Sequence, residues 1–315
     1  MIPRIRIIST GGTIANTSNG LIGMEDLLRE IPKARELAGF EITEVSRIRG
    51  GSMRLDQWIE IARSMAEAAE DPNVDGVILT HGTFTLEETV YFLHLTVPAS
   101  KPMICVASQR MHDAIGNDGD RNFLDAVRVA LSPDAAGKGV LVVLHEEIHC
   151  ARDVVKSNQR PGGFVSPAHG LLGHVENDQV SFYRAPLRRH TARSEFDIRR
   201  IGRLPRVDII SAYVGADDAA ARACVDAGAR GLVVNGYAFN GNPAVDQREA
   251  LQRMAASGIP VVLTSRGGRG RVPLGSDDAF VRGDTLPAHK ARILLMLGLT
   301  KTSDARELQR MFNEY

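Results

Sequence analysis

Net charge is what this chain lacks most plainly. Its 38 lysines and arginines are matched by 38 aspartates and glutamates, so no overall field draws it to nucleic acid or an anionic membrane surface. A small-molecule partner fits better. Cysteine is scarce: Cys105, Cys150 and Cys224 are scattered and odd in number, poor material for a disulfide framework and suited to a reduced cytoplasm. No uninterrupted apolar run approaches the roughly 20 residues that a membrane span requires. The segment from Met1 to Ile8 passes directly into a strand pattern, without a long apolar stretch and a small-residue cleavage site, so no secretion signal is expected. Short repeats and low-complexity tracts are also missing.

What is present is alternation. Ile5 to Ser9, Gly76 to Thr80, Pro102 to Ala107 and Gly139 to Leu144 read as buried strands whose apolar continuity suits a parallel sheet. Between them Leu55, Trp58, Ile59, Ala62, Met65, Ala66 and Ala69 recur at three and four residues and mark one face of an amphipathic helix. Such βαβ alternation predicts an α/β fold with a doubly wound, mostly parallel sheet. A second series follows Pro205: strands at Val207 to Ser211, Gly231 to Asn235 and Pro260 to Thr264, with helices from Asp217 to Ala227, His289 to Gly298 and Asp304 to Asn313. The 315 residues suit two domains. The predicted division is an N-terminal α/β domain over 1–187, an arginine-rich linker over 188–206 and a smaller α/β domain over 207–315.

Three segments at strand ends carry chemistry. Ser9-Thr10-Gly11-Gly12-Thr13 offers a hydroxyl nucleophile beside glycines whose N–H groups can face an oxyanion. By itself it reads equally as a Gly-rich turn or a phosphate cradle. Thr80-His81-Gly82-Thr83-Phe84-Thr85 supplies a second threonine and then a helix start, with Thr85 and Glu88 spaced for a capping box. The third segment, Glu147 to Asn158, contains Lys156, which can accept a proton if burial removes its charge and is otherwise a solvated cation.

The order and spacing of these segments resemble the asparaginase and glutaminase family of amidohydrolases. The resemblance extends to Asp113-Ala114-Ile115-Gly116-Asn117-Asp118-Gly119 with Asn122, Pro205 to Ile210, Gly215-Ala216-Asp217, Asp284 to Pro287 and Lys290-Ala291-Arg292. It implies that Thr13 is the nucleophile and that Thr83 and Lys156 form a hydroxyl–lysine relay. Gly12, Ser52, Gly82 and Phe84 are then expected against the substrate. No cofactor and no metal are expected. The resemblance further implies a homotetramer, a dimer of intimate dimers.

The departures from the family pattern are specific. Phe84 stands where the family has an aspartate that binds the substrate's α-ammonium, and no tyrosine occurs before Tyr91, although the family's loop after the nucleophile carries one. Ser276, Asp277 and Asp278 are loose matches for the family's C-terminal acid, and either Ser52 or Gly50 aligns with the serine that holds the substrate carboxylate. A charge-assisted hydrogen bond contributes roughly 1.5–3 kcal/mol, against about 0.5–2 for a cation–π contact. L-Asparagine is therefore expected to bind poorly, and an amide with an apolar or uncharged group at that position to fit better. The competing class is a non-catalytic, small-molecule-binding relative.

Other patterns have plainer explanations. His145-Glu146-Glu147-Ile148-His149 matches H-E-x-x-H, a zinc pattern that requires a helix, yet it follows a strand. Gly267-Gly268-Arg269-Gly270-Arg271 reads as a glycine-rich loop rather than a nucleotide site. His81 and His112 are expected to pack or hydrogen-bond.

Overall fold

Strands buried on both faces need helices on both sides, and the larger unit is built that way. The structure, a computed structural model, describes residues 2–48, 52–275 and 279–315. The chain divides into two compact units, residues 1–200 and 201–315. The division falls inside the stretch 188–206, which holds two short 3₁₀ turns, Thr191–Arg193 and Ile198–Arg200.

In chain order the first unit carries β1 (Arg4–Gly11), the small hairpin β2 (Asn16–Thr17) and β3 (Gly20–Leu21), helices α1 (Met24–Glu30) and α2 (Pro32–Leu37), and β4 (Gly39–Ile48). Then come α3 (Leu55–Glu70), β5 (Gly76–Thr80), α4 (Leu86–Thr96), β6 (Met103–Val106), α5 (Gly119–Leu131), β7 (Val140–Leu144) and β8 (Glu147–Cys150). The hairpin β9 (Val155–Lys156) and β10 (Phe164–Val165) and the pair β11 (Gly173–Glu176) and β12 (Gln179–Phe182) complete it.

Among the described residues the main sheet has eight strands in the order β12-β11-β8-β7-β6-β5-β1-β4. The run from β4 to β7 is parallel, whereas β8, β11 and β12 join antiparallel. One face buries Ile5, Ile7, Ile78, Ile104 and Val143 under Leu27 and Leu28 of α1, Ala34 of α2 and Phe123 and Val127 of α5. On α3 and α4 the rings of Trp58 and Phe92 stack at 5.3 Å, and Trp58 Nε1 donates to Thr89 Oγ1 at 2.9 Å. That bond satisfies the indole N–H that burial would otherwise strand.

The second unit has a four-stranded parallel sheet, β13 (Val207–Ser211), β14 (Gly231–Gly236), β15 (Val261–Ser265) and β16 (Val281–Arg282), in sequence order among the described residues. Its helices are α6 (Ala219–Asp226), α7 (Val245–Ala256), α8 (Ala288–Gly298) and α9 (Ala305–Glu314). Asp304 caps α9 by accepting from the Glu307 N–H at 2.9 Å. The architecture is thus α/β, with a larger mixed but mainly parallel sheet and a smaller parallel one.

One sequence expectation is corrected and one reading is met. Thr85 occupies the N-cap of α4, but its side chain makes no capping hydrogen bond, so the Thr85–Glu88 capping box does not form. The H-E-x-x-H segment is a strand hairpin, not a helix: His145 and Glu146 take φ of 53° and 65° in the two-residue turn between β7 and β8. His145 Nε2 lies 3.2 Å from an Asp118 oxygen, whereas His149 Nδ1 lies 3.0 Å from Ser166 Oγ, so the pair shares no helical face.

Candidate functional site

From β1 the chain proceeds to β4 on one side, and from β5 to β6 on the other. The order reverses between β1 and β5, and in an open α/β sheet a crevice opens at the carboxyl ends of such strands. The loops that follow these two strands carry Thr13 and Thr83.

Side chains and glycines hold the two loops together. Thr10 Oγ1 donates to the Thr80 carbonyl at 2.8 Å. Gly12 has φ +92°, and a Cβ built on it would fall 2.5 Å from the Gly82 nitrogen and 2.7 Å from the Gly82 Cα. Only glycine permits both the backbone angle and this approach. Thr13 and Thr83 therefore each follow one member of a touching glycine pair. Thr13 opens a one-turn 3₁₀ helix and is half-buried, while Thr83 is buried.

Lys156 arrives from a third direction. The hairpin β9–β10 pairs Lys156 with Phe164 and Val155 with Val165, and the Ser157 N–H closes it on the Gly163 carbonyl at 2.7 Å. Lys156 Nζ donates to Thr83 Oγ1 at 2.9 Å. The same nitrogen lies 5.2 Å from the Phe84 ring centroid and 5.9 Å from that of Phe164. Burial lowers the Lys156 pKa, and the negative charge of Glu87, in the first turn of α4, opposes the shift. A hydroxyl bonded to a partly desolvated amine can pass a proton once the amine is neutral.

Phe84 is 67% exposed, so one face of its ring is open while the lysine lies near the ring. Phe164 is 1% exposed and serves as the closed wall. His81 is fully buried and its Nδ1 sits 2.7 Å from the Gly82 carbonyl, with burial pushing its pKa down to about 4. It therefore acts as a neutral brace for the Thr83 loop.

Ser52 lies exposed in the connection from β4, whose end flanks Gly11, to α3. The alternative Gly50, and Ser276, Asp277 and Asp278, lie outside the described residues. The loop after Thr13, where the family's tyrosine would be, forms the β2–β3 hairpin, with Thr17 Oγ1 donating to the Gly20 carbonyl at 2.9 Å. His112 packs against Glu30 at 2.8 Å. The Gly267 loop is held by Arg271, which pairs with buried Asp284 at 2.9 Å.

Sequence reasoning missed Thr10, Glu87 and Phe164. A hint of Phe164 was present: Pro161-Gly162-Gly163 is a turn signal, and a hairpin there sets a residue just beyond it opposite Lys156.

Fold and site together define an α/β protein with a threonine–lysine pair at a sheet switch point. Residues 4–188 match the domain described as "Asparaginase, N-terminal" and residues 206–312 match "Glutaminase/Asparaginase C-terminal domain". The "L-asparaginase 2" of Escherichia coli is 36% identical over 334 residues, spanning 100% of this chain and 94% of that protein. The "Glutaminase-asparaginase" of Pseudomonas fluorescens is 38% identical over 333 residues, spanning 100% and 91%. A crystal structure of "Probable Cytoplasmic L-asparaginase from Campylobacter jejuni" superposes with a TM-score of 0.95 at 36% identity, covering 99% of this chain and 100% of that one. The chain belongs to the asparaginase/glutaminase family. It is accordingly a hydrolase of carbon–nitrogen bonds other than peptide bonds.

Proposed function

We propose that the protein hydrolyses a small amide through Thr13, with specificity turned away from L-asparagine by Phe84. Thr83 Oγ1 and Lys156 Nζ, 2.9 Å apart, form the relay, and this contact carries the reading. Neutral Lys156 takes the Thr83 proton, and Thr83 in turn takes that of Thr13 as its oxygen attacks the amide carbonyl. The C–N bond then breaks, the amine leaves with the relayed proton, and water hydrolyses the acyl-threonine ester to the free acid.

The backbone around Gly12 and Gly82 supplies N–H groups for the developing oxyanion, and Ser52 is assigned to the substrate carboxylate. At the position of Phe84 the wall is an exposed ring instead of a carboxylate. An uncharged or apolar substituent matches that surface better than an ammonium does. Cys105, Cys150 and Cys224 are all free thiols, which supports placing the protein in a reducing cytoplasm. We assign it a homotetrameric state on the family pattern.

The decisive experiment compares wild type with Thr13→Ala for ammonia release over a panel of small amides. Loss of at least about a thousandfold is expected. Undiminished hydrolysis overturns the assignment, and a wild type inert on every amide favours a binding protein.

A further inference from the structure

We infer that His145 is a positioning residue for Lys156 and acts through the tip of the β9–β10 hairpin. The relay needs Lys156 Nζ at 2.9 Å from Thr83 Oγ1, yet Lys156 is carried on a hairpin whose strands have two residues each. Strands that short hold no fixed place by themselves. Contacts from outside the hairpin must hold it.

Two successive N–H groups at the tip are received by other parts of the unit. The Gly162 N–H meets the His145 imidazole, 3.1 Å from Nδ1 and 3.3 Å from Nε2. The Gly163 N–H donates to Gln109 Oε1 at 3.2 Å, while the Gly163 carbonyl accepts from the Ser157 N–H at 2.7 Å and from Ser157 Oγ at 2.9 Å. The residue that closes the hairpin is thus itself braced. Both braces are tied to one carboxylate: Asp118 lies 3.2 Å from His145 Nε2 and accepts from the Gln109 N–H at 2.9 Å and the Arg110 N–H at 2.8 Å. Burial of Asp118 works against its negative charge, but the hydrogen bonds from His145 and from these two N–H groups hold its pKa below the ordinary carboxylate value. One tautomer serves both contacts of the ring. With its proton on Nε2, His145 donates to Asp118 and offers Nδ1 to Gly162.

The backbone under His145 points the same way. His145 and Glu146, at φ of 53° and 65°, form a turn that favours asparagine, aspartate and glycine. The two-residue turn between β11 and β12 carries such residues, Asn177 and Asp178. At the β7–β8 turn the costlier conformation is kept with an imidazole that reaches the lysine hairpin, whereas Glu146 reaches Arg121 at 3.1 Å. The His145 N–H donates to Asn122 Oδ1 at 2.8 Å and anchors the turn on α5. Loss of the imidazole frees the hairpin tip, and Lys156 leaves Thr83. The brace stands on this geometry, and its effect on turnover rests on the proposed function.

The test compares full-length wild type, His145→Gly, His145→Gln and Glu146→Gly by hydrogen exchange with mass spectrometry and by steady-state kinetics on a small amide that wild type hydrolyses. Glycine adopts the φ of either turn position, so both glycine variants are expected to keep the wild-type melting temperature. In His145→Gly, exchange over residues 157–164 should quicken at least about fivefold, and kcat should fall about tenfold at unchanged KM. Glutamine can also accept from Gly162 and donate to Asp118, so His145→Gln should restore both. Glu146→Gly relaxes the same turn without touching the brace and should match wild type in exchange and kcat. Exchange that is unchanged in His145→Gly, equally fast in both glycine variants, or unrestored by glutamine overturns the brace. Faster exchange with unaltered kcat overturns the link to Lys156. A wild type inert on every amide removes the amidohydrolase reading and leaves exchange to decide the brace.

Discussion

Gly12 and Gly82 meet backbone to backbone, with the site of a missing Cβ on Gly12 only 2.5 Å from the Gly82 nitrogen. The contact is not reciprocal. A Cβ on Gly82 meets nothing closer than the Gly12 Cα at 3.5 Å, an ordinary van der Waals distance. Gly12→Ala is therefore expected to push the Thr13 and Thr83 loops apart and to lower kcat on the order of a hundredfold. Gly82→Ala should cost far less. Steady-state kinetics of the two purified variants check the asymmetry, and equal losses would count against it.

Lys156 must be neutral to accept a proton, so the rate should rise with pH through the folded pKa of this lysine. Burial places that pKa below the ordinary lysine value, and Glu87 pulls it back upward. Glu87→Gln is expected to move the rising limb of the kcat/KM profile to lower pH, because the charge that favours the ammonium is gone. Lys156→Met should abolish the limb along with most activity. A limb unmoved by Glu87→Gln argues that another group controls it.

Phe84→Asp introduces a carboxylate at the position whose ring centroid now lies 5.2 Å from Lys156 Nζ. Activity on L-asparagine should increase at least about tenfold in kcat/KM, equivalent to about 1.4 kcal/mol of recovered ammonium binding. The pH limb should shift upward, since a carboxylate beside the amine favours its charged form. A folded variant with no gain on L-asparagine sinks the specificity argument.

Phe164 holds the lysine from the closed side, at 5.9 Å and 1% exposure. Phe164→Leu keeps most of the apolar burial, so the stability loss should stay near 1–2 kcal/mol. The ring face is lost, so kcat is expected to fall by about tenfold with little change in KM. Phe164→Tyr should restore kcat. Chemical denaturation alongside kinetics separates the two effects, and a KM change at constant kcat would contradict a positioning role.

Two buried histidines make the first unit sensitive to acid. Burial pushes His81 and His190 from the usual 6.5 to about 4, and His190 also feels the charge of Arg193. Their unfolded forms bind protons first, so stability is full above pH 6.5 and drains as pH falls toward 4. The loss amounts to about 3 kcal/mol per histidine, an upper bound set by full burial of the neutral form. Urea denaturation at a series of pH values should show this slope, and His190→Gln should flatten part of it. A pH-independent midpoint between 7 and 5 would refute the account.

Much of the fold was legible in local pattern. The run at Gly76–Thr80 is continuously apolar or β-branched after its glycine, Val207–Ser211 is β-branched around Asp208, and both form strands over those spans. Trp58, Ile59, Ala62, Met65, Ala66 and Ala69 carry the helical period and are buried along α3. By contrast β4, which reads Gly39–Ile48, alternates charged and apolar residues at the sheet edge. Strands β8, β11 and β12 are four residues each and broken by polar residues or glycine: Glu147 and His149 in β8, Gly173, His174 and Glu176 in β11, Gln179 and Ser181 in β12. Strands of that length lack enough period to be read alone, and their antiparallel pairing is a long-range choice.

By itself the sequence determined the α/β class and the placement of Thr13 and Thr83 just beyond strand ends, because short-range propensity and residue identity are local properties. Tertiary structure alone decided that Lys156, 73 residues from Thr83, donates to it. The state of that lysine is decided there as well. Desolvation, the Glu87 charge and the Phe84 and Phe164 rings act through space, and they exist only once β9 and β10 have paired and α4 has packed.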